Sequence, residues 1–408
     1  MAITSNYSTV LKNTNFIKLW LTQFISIFVV SLLNFVLIVR IFEFTNSSVA
    51  IAIFWVIYSL PTVFLGLFAG VLIDYGSKRK VLLWTNIFQA AAALLYLFLG
   101  QKIWPIYGVV FLYSLIDEFF RPAQEASLPS FVKKERLPFA NSLMVMSLQG
   151  AGIAGYTLAG PLMHLVPEHF IFFLGSILLL LGAMAAALLP VDRPANHRKP
   201  LENGFAGFLD DLKEGYKVIR RERKIWASIL LMALVGAVTT LIIALAPAIA
   251  RKCFDLDLRD LGVWMIPPAA IGALLASFAI DRLIRALGRR GLTRLGFAIV
   301  GGVFLSLAFF SSSVTANRPF IILISALAGF ALVATNCSPK TSIQENTPFG
   351  NRGRVFGTLR TLITFASSIP MLLGAALADM VGLRPVLAFA GIIVILGSFY
   401  LLRREDGL

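Results

Sequence analysis

The chain has 408 residues, of which 58% are hydrophobic and only 14% charged, a balance that excludes a soluble globular protein, a disordered chain, a collagen and a disulfide scaffold. Twelve helices of about 20 apolar residues, each crossing a bilayer core of roughly 30 Å, would take about 240 residues, close to the apolar total of about 237. A formal charge of +15 would point to nucleic acid in a soluble protein, so the placement of that charge has to decide between partners.

In chain order, apolar runs of spanning length fall at about 16–41, 49–73, 80–100, 104–128, 139–165 and 170–190. The first of them is long enough to span and lacks a small-residue cleavage site, which predicts a membrane helix and not a cleaved signal. Residues 191–224 follow as the one long polar segment, opened by Pro194 and Pro200. Within it Phe208, Leu209, Leu212, Tyr216 and Ile219 recur at helical spacing, which fits either an amphipathic helix on the membrane surface or a solvated linker helix. Six further runs lie at about 226–250, 261–285, 292–312, 319–339, 355–379 and 384–402. The expected fold is therefore an all-α membrane protein with twelve transmembrane helices in two six-helix bundles, residues 1–190 and 225–408, joined by a cytoplasmic linker over 191–224.

With both termini on the inner side, alternate loops leave Arg40, Lys102, Arg251, Lys252, Arg259, Arg318 and Arg384 outside, and the other 29 of the 36 Lys and Arg residues inside. That asymmetry is the positive-inside pattern. The net charge thus has a topological cause, and nucleic acid is not an expected partner. The two halves also echo each other: Gly70-Val-Leu-Ile-Asp74 with Lys78, Arg79 and Lys80 corresponds to Ile280-Asp281-Arg282 with Arg285, Arg289 and Arg290. A second echo joins Arg121-Pro122 through Glu125 to Ser338-Pro339 through Glu345. Repeated segments at matching places make the bundles pseudo-symmetric, an arrangement that sets a midplane site between repeats.

These residues resemble the major facilitator superfamily. Gly70, Asp74 and the basic pair Lys78 and Arg79 look like its loop 2-3 signature, with Ser77 where the pattern has glycine. Asn15-Phe16 through Trp20, Gln23 and Ser26, then Pro61 and Gly66, Phe120-Arg-Pro122, Leu128-Pro129, Ala140-Asn141, Asp211 to Gly215, and Arg352-Gly353-Arg354 before Gly357 resemble the macrolide-efflux and enterobactin-exporter-like permeases. Two departures stand out: Val29 and Val30 replace a Gly-Asp pair, so a helix 1 acid cannot carry protons, and Tyr156 stands where an exporter signature has proline. The resemblance implies a secondary transporter working by alternating access, in the bacterial inner membrane, as a monomer.

For the loop 2-3 signature a gate is expected, Asp74 pairing with Arg79 or accepting from a facing helix N-terminus, with Gly70 permitting close approach and Asp281 and Arg282 as the second-half counterpart. The alternative is that the basic residues only hold the loop inside. In the fourth span Asp117 lies thirteen residues beyond Trp104, about 20 Å into the membrane, and an acid at that depth is a functional candidate. Tyr113, Asp117 and Arg121 share a face, while Glu118 is turned about 100° away. Either acid could merely neutralise Arg121; the alternative is exchange of a proton or capture of a cationic substrate. Candidate cavity residues are Gln23, Asn34, Tyr58, Tyr113, Asp117, Gln149, Thr239, Trp264, Asn336, Arg360 and Ser367, each of which could equally serve as a helix–helix hydrogen bond.

Enzymatic signatures are missing. His164, His169 and His197 form no metal-spaced cluster with the two cysteines or with acids, and no phosphate-binding Gly-Lys-Ser/Thr loop occurs. Cys253 and Cys337, in different halves, indicate no disulfide framework. No metal or cofactor is expected, and energy would come from an ion gradient, with protons the expected coupling ion. The predicted function is export of an amphipathic organic compound, drug-like or siderophore-like, in contact with membrane lipid. A lipid or lysolipid flippase is the second transport reading, and a non-transporting receptor or membrane-embedded enzyme the reading from another class.

Overall fold

A computed structural model describes residues 2–100, 102–191, 223–310, 312–346 and 352–406, the side chains of 2–6, 66–72, 74–75, 223–227, 337–338, 342, 344–346, 352–361 and 400–406 excepted. Among these residues all regular structure is helical, as expected where no water is at hand to satisfy the backbone. A short helix α1 (Ala2–Leu11) precedes α2 (Thr14–Thr45), α3 (Ser48–Tyr75), α4 (Lys78–Leu95), α5 (Ile103–Phe131), α6 (Leu137–Leu165) and α7 (Glu168–Ala187). Then follow α8 (Arg223–Lys252), α9 (Leu261–Phe309), α10 (Arg318–Asn346), α11 (Arg352–Met380) and α12 (Leu383–Asp406).

Nine of the described helical stretches are long and apolar enough to cross a membrane, and Leu383–Phe399 forms a shorter apolar helix. α6 is not among the nine because its glycines, serines and Gln149 dilute its apolar content. Where sequence spacing placed two spans, 261–285 and 292–312, two helical segments follow one another, described together as α9 and parted by a kink. The break between them is Gly288 alone, with φ 71° and ψ 167°, a conformation reached at low cost only without a Cβ. The predicted amphipathic linker helix lies outside the described residues.

Local chemistry sets the helix starts. Asn13 Oδ1 accepts from the backbone N–H groups of Asn15 (3.0 Å) and Phe16 (3.2 Å), capping α2. Ser77 Oγ accepts from Lys80 N–H and caps α4, so the residue that departs from the signature glycine has a structural use. The turn from α2 to α3 passes through Asn46 with φ 48°, a left-handed position that asparagine tolerates.

The chain forms two compact units: Met1–Arg40 with Val56–Gly204, and Ile41–Trp55 with Phe205–Leu408. In the first, α4 packs on α7 and α5, and one end is closed by a core of Phe16, Leu19, Ile73, Leu82, Phe120 and Met144. α6 meets α2 closely at Gly155, where a Cβ would stand 2.4 Å from the Phe28 carbonyl. In the second, α9 packs on α10 and α12, and α8 on α11 and α10. Large apolar side chains such as Phe64, Phe98, Trp104 and Phe278 point outward, as they do when hydrocarbon surrounds the helices.

Candidate functional site

α5 carries the chemistry of the first unit. Its i, i+4 spacing stacks Tyr113 above Asp117, with Tyr113 buried, Asp117 and Glu118 partly exposed, and Arg121 exposed. Gln89 of α4 donates from Nε2 to Asp117 Oδ1 at 2.9 Å. Glu118 accepts from Thr62 Oγ1 of α3, and Ser114 Oγ donates to the Tyr58 carbonyl, fixing α5 against α3. The two acids are thus held by different helices, as their angular separation predicts. Among the described residues neither closes an ion pair with Arg121, although Arg121 lies within electrostatic reach of Asp117.

Above this pair a small crevice is lined by Val30, Leu33 and Asn34 of α2, Tyr58 of α3, Tyr96, and Tyr113 of α5. Asn34 is in hydrogen-bonding reach of both Tyr58 and Tyr156. The Tyr113 hydroxyl is buried and finds no partner among the described residues. Four predicted cavity residues, Asn34, Tyr58, Tyr113 and Asp117, therefore gather in one unit. Sequence reasoning missed Gln89, Tyr96 and the grouping of Tyr156 with them. Gln89 carried a legible signal, since it and Asn86 are conspicuous polar residues in an otherwise apolar stretch of α4.

Other predicted positions sit apart from this cluster. Gln23 is buried in a clamp, donating to the Met144 carbonyl (2.9 Å) and accepting from Gln124 Nε2 (2.7 Å), which joins α2, α5 and α6. Gln149 is exposed. In the second unit Thr239 bonds back to its own helix at Val235, as Asn336 does at Leu332. Neighbouring Thr240 donates to the Ser367 carbonyl, tying α8 to α11, and the Ser367 hydroxyl is buried without a partner among the described residues. Trp264 lies under the Arg318 guanidinium, 4.7 Å from ring centroid to Cζ, a cation–π contact. The Arg360 side chain lies outside the described residues. Cys253 is buried and free, and burial pushes its thiol up from its ordinary value; Cys337's side chain is not described.

Of the gate residues predicted in loop 2-3, Lys78 and Arg79 have described side chains. Lys78 Nζ donates to the Ala126 carbonyl of α5 at 3.0 Å, and Arg79 donates to the Ala187 carbonyl at the end of α7. Lys18 Nζ reaches the next carbonyl beyond α7, that of Leu188, at 2.9 Å. The two cations at the end of α7 satisfy carbonyls that have no partner within the helix and oppose its negative pole. The side chains at Gly70 and Asp74 lie outside the described residues, and Asp281 and Arg282 are both exposed.

At the opposite end of α3, sequence reasoning missed another acid. Asp379, near the end of α11, accepts from Ser47 Oγ (2.6 Å), Ser48 N–H (2.9 Å) and Val49 N–H (3.0 Å), all within the second unit. A carboxylate from one helix thereby caps the N-terminus of another. Asp379→Ala is expected to cost about 1–3 kcal/mol and Asp379→Asn, which keeps an acceptor, distinctly less; thermal unfolding of the purified variants measures the difference.

The arrangement is that of a helical membrane carrier: a buried polar crevice beside a partly exposed acid, in helices otherwise apolar. The profile of the Major Facilitator Superfamily matches residues 19–371, and the chain belongs to that superfamily. It is 24% identical over 372 residues to the MFS-type transporter YfiS of Bacillus subtilis (strain 168), covering 88% of this chain and 86% of that one. It is 23% identical over 390 residues to Macrolide efflux protein A of Streptococcus pyogenes, covering 93% of each. Among solved structures, nucleoside transporter NupG superposes with a TM-score of 0.73 at 12% identity over 95% of this chain and 98% of that one, a likeness of fold. The protein is an integral membrane transporter of the major facilitator fold and not an enzyme.

Proposed function

We propose that this transporter exports an amphipathic organic compound by alternating access, drawing on proton entry through Asp117, with Glu118 as the second acid of the site. The observation that carries this reading is Asp117 itself: a partly exposed acid within a spanning helix, held by a neutral amide and set beside the tyrosine-lined crevice. An acid so placed can gain and lose a proton without breaking a structural ion pair. Efflux as the direction is supported by the likeness to Macrolide efflux protein A over nearly the whole chain. The crevice rings suit an apolar or amphipathic solute, with Asn34, Tyr58 and Tyr113 its first contacts.

In this reading the protein sits in a bacterial inner membrane with both termini cytoplasmic, works as a monomer, and gates through Gly70, Asp74, Lys78 and Arg79, with Asp281 and Arg282 as counterparts. The test is flux in proteoliposomes, screening macrolides, siderophores, cationic dyes and lysolipids with and without a pH gradient. Export of an amphipathic solute that rises with the proton gradient is expected. Flux indifferent to pH would remove the coupling, movement of lysolipid alone would select a flippase, and binding without flux a receptor.

A further inference from the structure

Among the described residues Gln89 is the hydrogen-bond partner of Asp117, and it is fully buried. Its amide is used at one end only: Nε2 serves Asp117, while Oε1 is buried and finds no partner among the described residues. Leaving such an acceptor empty is costly, so the choice of an amide here calls for a reason. Protonation of Asp117 supplies one. An ionised carboxylate only accepts and must be met by the N–H group, whereas a carboxylic acid presents an O–H donor that only the amide oxygen can accept. A half-turn about the last side-chain torsion, which is broad and roughly twofold, exchanges the two ends with little movement of other atoms.

We propose that Gln89 is the positioning residue of Asp117, holding the carboxylate through Nε2 and, after a half-turn of its amide, the protonated acid through Oε1. The inference rests on the reading of Asp117 as the proton carrier. The proton arrives from water on one face, resides on a carboxyl oxygen of Asp117, and departs to water on the other; Gln89 neither gains nor loses one. The other groups in reach of Asp117 are Arg121, Glu118 and Tyr113 on its own helix and Tyr58 from α3. Tyr156 of α6 faces Tyr58. Arg121 only donates, Glu118 is committed to Thr62, and among the described residues neither tyrosine hydroxyl bonds to Asp117, whose hydrogen-bond partner is Gln89.

The test follows the carboxyl stretch of Asp117 by infrared spectroscopy of the full-length protein in lipid nanodiscs, the band being assigned by its loss in Asp117→Asn. Gln89→Met keeps the length and removes both ends of the amide. A hydrogen bond to the charged carboxylate is worth more than one to the neutral acid, so Asp117 should hold its proton to higher pH, moving the titration midpoint up by about one pH unit, and the pH dependence of efflux should move with it. Gln89→Glu, which keeps size and polarity should Gln89→Met fail to fold, is expected to titrate in two steps, because adjacent carboxyls share a proton. An unmoved midpoint in folded Gln89→Met, or a single unmoved step in Gln89→Glu, overturns the role. If Asp117→Asn still couples, it is the proton reading that fails, whereas the infrared shift needs no transport and decides on Gln89 separately.

Discussion

Asp117→Asn is expected to abolish substrate accumulation driven by a pH gradient while leaving exchange of substrate for substrate in place. Asparagine has the shape of the acid and keeps an oxygen to accept from Gln89 Nε2, so the contact at 2.9 Å and the packing of α4 on α5 should survive. What disappears is ionisation: the negative charge of the carboxylate and, with it, a proton that can be taken up and released. If one proton exchanges per substrate, a gradient of one pH unit sustains about a tenfold substrate gradient, and in the variant that ratio should fall to about one. Proteoliposomes loaded with a labelled substrate report both quantities, net accumulation with the gradient and counterflow without it. Accumulation that persists in Asp117→Asn would move the coupling to Glu118 or remove protons from the mechanism.

The second large effect is expected in the other unit, at the crossing of α9 and α10. A Cβ on Gly272 would stand 1.8 Å from the Ala326 carbonyl oxygen, and one on Gly329 would stand 1.9 Å from the Ala269 carbonyl oxygen. The obstacle is backbone in both cases, so no rotamer change can relieve it. Two glycines, each facing the other helix's backbone, let the helices approach closely enough for dispersion and weak Cα–H···O contacts to hold them, which is how helices associate in lipid. Gly272→Ala must drive the helices apart, at a cost of about 1–3 kcal/mol or more, and Gly272→Leu is expected to yield no folded protein. Gly302→Ala, in the segment of α9 beyond the Gly288 break and with no atom within 4 Å of its Cβ, is the control and should be neutral or slightly stabilising. Heating followed by size-exclusion chromatography in detergent separates these outcomes.

How far the site could be read in advance differs from residue to residue. Asp117 and Glu118 were legible because a charge in a spanning run is costly wherever it points, and the helical period alone sends them to different neighbours. Gln23 and Asn34 show the limit of that reasoning: both are polar residues of α2, yet Gln23 is consumed by Met144 and Gln124 while Asn34 lines the crevice. Nothing in their spacing separates the two, because the answer depends on which helix packs against each face. Asp379 was overlooked for a related reason. It stands near a helix end, where an acid costs little, and its significance comes from Ser47, Ser48 and Val49, more than three hundred positions away in sequence.

By itself the sequence determined the solvent and the class of architecture. Enough apolar length for a dozen spans, a basic excess on alternate loops and a repeated signature leave a helical membrane carrier, because hydrocarbon admits only structures that satisfy their own backbone and the bias of lysine and arginine orients them. The tertiary structure alone decided which polar side chains meet. Gln89 reaches Asp117, and Gly272 faces a carbonyl, through packing between separate helices, and such packing is set by the fit of surfaces that no one-dimensional period encodes.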